Sequence, residues 1–152
     1  MMIKKFLFAF ILISIGISVQ GLYITELPGT DYKYRTLHMA DDYAGKVVCT
    51  LVKRKPVSKD GPAILYVHGY NDYFFQRALG DSAATHGYNF YALDLRKYGR
   101  SILPDQDAFF AKNLSEYFAD LDTAIAIIKA EGNRDIVLIA HSTGGLITPL
   151  YL

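Results

Sequence analysis

Three short, almost wholly apolar runs recur along this chain: Ala63 to Val67, Tyr88 to Leu95 and Asp135 to Ala140. Apolar runs of this length, without polar alternation, fit strands buried on both faces, as in a parallel sheet. Helix-patterned sequence separates them. Phe74 to His86 is predicted helical and stopped by Gly87. Asn113 is placed to cap a second helix, and Glu116 stands three residues on, where a capping-box side chain reaches back. Leu114, Tyr117, Phe118, Leu121, Ile125 and Ile128 then recur on one helical face until Gly132. A third helix begins in Leu-Ile-Thr-Pro-Leu-Tyr-Leu. Strand–helix alternation of this kind predicts a mostly parallel, doubly wound α/β sheet with right-handed crossovers and helices on both faces. Upstream, Tyr34 to Met39 and Lys46 to Lys53 read as two strands around a turn at Asp41 to Gly45, forming an antiparallel edge.

The chain has 152 residues, 51% of them hydrophobic, enough for one domain with its own core. A net charge of +1 gives no reason to expect a nucleic-acid partner. The first residues stand apart: Lys4 and Lys5 precede an apolar run from Phe6 to Val19, too short for the roughly 20 residues of a membrane span. Residues 1–21 therefore read as a secretory signal peptide, with an uncleaved membrane anchor or a buried helix as alternatives, and residues 22–152 as the folded part. Export is the expectation, with membrane or lipid contact through this segment if it stays uncleaved. Cleavage after Gly21 removes two lysines and no acid, leaving 14 basic against 15 acidic residues. Cys49 is the only cysteine and reads as a small core residue rather than a reactive thiol. The four histidines lack zinc-ligand spacing, and no cofactor is expected.

In a parallel α/β sheet, functional groups gather at the C-terminal ends of the strands. Three such ends are visible: His68-Gly69-Tyr70-Asn71-Asp72, then Asp94-Leu95-Arg96-Lys97-Tyr98-Gly99-Arg100-Ser101, then His141-Ser142-Thr143-Gly144-Gly145. A serine between strand and helix can be forced into a strained turn that exposes its hydroxyl, which demands small residues two before and two after. Here these are Ala140 and Gly144. An ordinary Ser-Thr helix cap with a glycine turn is the competing account of the same residues. Gly69 lets the chain turn sharply, so that the Tyr70 amide can face the serine and form, with the Thr143 amide, a two-donor oxyanion hole. His68 sits inside that turn and reads as structural, and Asn71 and Asp72 as turn formers or helix caps.

Together these segments resemble an α/β-hydrolase of the serine aminopeptidase and monoacylglycerol lipase (lysophospholipase-like) branch. The matching residues are His68-Gly69, Asp94-Leu95-Arg96 with Gly99-Arg100-Ser101, and His141-Ser142-Thr143-Gly144-Gly145. Ala140 departs from the usual glycine, and Lys97-Tyr98 from a frequent glycine-histidine. The resemblance implies Ser142 as nucleophile, Tyr70 and Thr143 as oxyanion donors, and supporting roles for His68, Gly69, Asp94, Arg96, His141 and Gly144. It implies a small ester or acyl substrate, with a peptide bond as the less favoured target. In such enzymes the triad acid and histidine follow the serine. Only ten residues follow Ser142, and none is an acid or a histidine. His141 is expected to leave the turn on its other side, His86 to lie at the far end of a helix and His38 on an edge strand. The expectation is an N-terminal portion of a hydrolase domain, inactive alone, whose last strand is an exposed apolar edge. A non-catalytic remnant is the second class. A dinucleotide-binding fold is disfavoured, because no G-x-G-x-x-G follows the first parallel strand.

Overall fold

The computed structural model describes residues 25–27 and 29–152; the signal-peptide reading of residues 1–21 lies outside them. The elements are β1 (Thr25–Glu26), β2 (Tyr32–His38), β3 (Val48–Arg54), β4 (Ala63–Val67), α1 (Arg77–Thr85), β5 (Asn89–Asp94), α2 (Phe118–Ala130), β6 (Ile136–Ala140) and α3 (Gly144–Tyr151), with 3-10 turns at Gly99–Ser101 and Leu114–Tyr117. They form one sheet in the order β1-β2-β3-β5-β4-β6. Strands β5, β4 and β6 are parallel, β3 is antiparallel to β5, and β2 is antiparallel to β3. Thus β2, β4, β5 and β6 run one way and β1 and β3 the other. The fold is α/β and mostly parallel, as the alternation required.

The antiparallel edge forms as expected, with one strand more. Strand β3 is internal, pairing Thr50 with Asp94 and Leu51 with Leu93. Val48 to Val52 are all buried, because this run is apolar on both faces rather than alternating. Outside it, β2 carries the short β1, which the sequence reading did not include.

Strand β4 shows how the sheet divides the core. Ala63, Leu65 and Val67 face one side, where they join Leu51, Leu93, Leu121, Ile128 and Ile147 under α2 and α3. Ile64 and Tyr66 face the other, with Tyr32, Phe74, Ala83 and Phe90 under α1. Each such fully buried large side chain stabilises the fold by about 1.5–3 kcal/mol. Cys49 is fully buried, and desolvation holds its thiol well above the usual range, as a core role requires. The capping box forms: Asn113 Oδ1 accepts from Ser115 N–H at 2.9 Å and Glu116 Oε1 accepts from Asn113 N–H at 3.2 Å. At the other border β6 is the sheet's edge, only partly covered, with Val137 exposed.

The register aligns three strand ends. Val67 lies opposite both Leu93 and Ala140, so β4, β5 and β6 end side by side and their three following loops meet.

Candidate active site

Ser142 occupies the turn between β6 and α3 with φ +52, a left-handed conformation that non-glycine residues rarely adopt. The turn is closed by hydrogen bonds from Gly144 N–H to His141 O at 2.9 Å and from Gly145 N–H to Ser142 O at 2.8 Å. Its tightness explains Gly144. A Cβ there would lie 2.6 Å from His68 O and 2.7 Å from Val67 O, so only glycine lets α3 start against the end of β4. Ser142 itself is exposed. The constraint an ordinary helix cap lacks, a strained serine with obligatory glycine two residues on, is present.

Gly69 is the second half of the arrangement. A Cβ on it would sit 3.0 Å from Ser142 Cβ and 3.0 Å from His141 Nδ1, so the Gly69 backbone lies directly beside the serine. The next amide belongs to Tyr70. Among the described residues, neither the Tyr70 nor the Thr143 N–H donates to an acceptor within the chain. Two unused backbone donors thus flank an exposed, strained serine.

The family model for serine aminopeptidase, S33, matches residues 59–152, well over half of the chain. The chain belongs to the serine aminopeptidase S33 family. Among solved structures it is similar to a probable hydrolytic enzyme from Pseudomonas aeruginosa PAO1, with a TM-score of 0.61, 21% identity, and coverage of 78% of this chain and 36% of that one. It is also similar to a hydrolase from Agrobacterium vitis S4 (TM-score 0.60, 20% identity, 79% and 44% covered). A third is a thermostable carboxyl esterase from Bacillus coagulans (TM-score 0.58, 20% identity, 78% and 39% covered). At these identities the likeness is one of fold: the α/β-hydrolase fold. The chain spans less than half the length of these structures. None of the curated proteins compared with it matches.

Within this S33 chain, the histidines are accounted for individually. His68 is 1% exposed. Leu95 N–H donates to its Nε2 at 3.0 Å, and its Nδ1 lies 2.7 Å from Gly69 O. That network fixes the neutral tautomer with the proton on Nδ1, donated to Gly69 O. His68 therefore ties the oxyanion loop to β5 and has no free nitrogen for Ser142. Burial also holds its pKa below the usual histidine value. The unfolded chain takes up a proton near pH 6.5 where the native protein does not, so stability is full above that value and falls as the pH drops below it. Urea unfolding at about pH 7.5 and pH 5.5 is expected to show the lower midpoint at 5.5, in a window above the carboxylate range. A midpoint unchanged or higher at pH 5.5 would contradict this account of His68.

His141 does not leave by the far side of the turn. Its side chain is 68% exposed and lies beside the Gly69 loop, its Nδ1 3.9 Å from Asp72 Oδ2. His86 bonds through Nδ1 to Ser82 O within its own helix, and His38 closes β2. None of the four hydrogen-bonds to Ser142.

The Asp94 loop is structural, and its structure serves the oxyanion loop. Buried Asp94 accepts from Phe74 N–H through Oδ1 at 2.9 Å and from Arg100 Nη1 through Oδ2 at 2.7 Å. Arg100 in turn donates to Phe74 O from both terminal nitrogens at 3.1 Å. Both backbone groups of Phe74 are therefore taken by this pair. That is why α1 begins at Arg77 rather than at Phe74. Arg96 reaches away from the site: its backbone N–H, Nε and Nη2 all donate to Asp120 on α2. Ser101 Oγ donates to Asp94 O at 2.9 Å. The sequence reading assigned no role to Asp120, although an acid on the buried face of an amphipathic helix is itself a signal. Among the described residues no cluster of three or more metal-ligating side chains exists, and no helix is long and apolar enough to cross a membrane.

Proposed function

We propose that this chain supplies the nucleophile and oxyanion hole of a serine hydrolase that cleaves carboxylic esters. The observation that carries the reading is the strained, exposed Ser142 between the unused amides of Tyr70 and Thr143. In this reading Ser142 Oγ attacks the ester carbonyl carbon and its proton passes to a general base. The tetrahedral oxyanion is held by the two amides. Collapse expels the alcohol, which takes the proton, and leaves an acyl group on Ser142 that water then removes. No described histidine hydrogen-bonds to Ser142, so in this reading the base is not one of them. Esterases among the fold neighbours support an ester target. A peptide target, which the family description names, runs through the same acyl-enzyme. The basic and apolar N-terminal segment supports export, with lipid contact if that segment is retained.

The test is residue mapping. Incubation with a fluorophosphonate probe in imidazole, which supplies a base from solution, is expected to give one adduct. Peptide mass spectrometry should place it on Ser142 and find none in Ser142→Ala. An adduct elsewhere, or equal modification of the variant, would favour a non-catalytic binding role.

A further inference from the structure

Phe109 lies between Ser101 and α2, outside the residues given roles above, in a backbone conformation that needs explaining. Its φ is +65, which bulky side chains rarely adopt. Such strain persists only where the surroundings over-determine it, and it gathers at functional sites. Phe109 N–H donates to Lys97 O at 3.0 Å. Lys97 is itself at φ +62 and buried, its Nζ 2.7 Å from Asp42 Oδ2. This anchored backbone drives the Phe109 ring against Tyr70 at 5.5 Å and Tyr98 at 5.2 Å between centroids. Tyr98 is 2% exposed and is backed by His68 at 4.9 Å and Tyr117 at 6.1 Å. The outermost ring, Tyr70, is 64% exposed. Its backbone follows Gly69, which touches Ser142. A column of rings thus runs from buried Tyr98 through Phe109 to exposed Tyr70, the residue after Gly69.

We propose that Phe109 is a specificity-determining residue: with Tyr70 it forms an aromatic wall that binds an aryl group of the substrate Ser142 attacks. This rests on the reading of Ser142 as nucleophile. The wall favours a ring over an alkyl chain of equal area, because tilted ring pairs gain beyond burial alone, by about two- to tenfold in affinity. Lys97 is paired with Asp42 and Arg100 with Asp94, so neither is free to hold an anionic group there.

Two neutral, unreactive probes test this on the full chain: 3-phenylpropionamide and hexanamide, titrated by NMR with the Tyr70 and Phe109 ring signals as readout. The phenyl probe is expected to bind about fivefold tighter and to shift both rings. Phe109→Gly, which suits φ +65 without strain, should abolish the preference, with circular dichroism checking that the variant stays folded. Phe109→Leu, which keeps apolar bulk, should abolish the preference too. Equal binding of the two probes, no binding of either at their solubility limits, or a preference surviving in both variants would overturn the proposal. Binding is read without acylation, so a failure of Ser142 labelling with the phenyl preference intact would sink the nucleophile reading and leave the wall standing.

Discussion

Asp120→Ala is expected to lower stability by about 3–5 kcal/mol, because it strands a buried guanidinium. For a chain of this size that corresponds to a melting temperature lower by roughly 10 °C. The side chains of Arg96 and Asp120 are only 8% and 0% exposed. The carboxylate accepts the Arg96 backbone N–H at 2.9 Å, Nε at 3.1 Å and Nη2 at 2.7 Å. Truncation removes every one of these acceptors while the α2 backbone, which alanine suits, stays intact. The loss therefore reports the pair and not the helix. Replacing both residues with apolar ones of similar size should recover most of it, since the cost lies in an unpaired buried charge. Thermal unfolding followed by circular dichroism measures both. A shift under about 2 °C for Asp120→Ala would mean that Arg96 finds solvent or another partner.

The sequence carried the architecture further than it carried the site. Uninterrupted apolar runs at Ala63, Tyr88 and Asp135 dictated three parallel strands, and the Asn113–Glu116 pair fixed a helix start, because both signals are local. The burial of β3 was legible in Val47 to Val52, where only Thr50 is polar. The start of α1 was not legible. Phe74 has helical neighbours, yet its backbone groups are claimed by Asp94 and Arg100, 20 and 26 residues away. The nucleophile turn was legible because its glycine is obligatory: Gly144 meets two carbonyl oxygens. Phe109 was invisible, since nothing local marks a residue whose conformation is imposed by Lys97 and two distant rings.

The largest expected effect concerns rate. In the proposed reading Ser142 has its electrophilic support in the Tyr70 and Thr143 amides, while no described histidine hydrogen-bonds to it: His68 is committed at both nitrogens, His141 lies 3.9 Å from Asp72, and His86 bonds within its helix. Removing the base from a serine hydrolase costs on the order of a millionfold in turnover. The most direct measurement of the proposal is therefore the rate at which the 152-residue chain is labelled by a fluorophosphonate, with and without imidazole. Labelling of Ser142 should be negligible over hours without imidazole and should rise in proportion to imidazole concentration. Rapid, imidazole-independent labelling that disappears in Ser142→Ala would show that a base already stands within the chain, and would contradict the reading that none of its histidines serves Ser142.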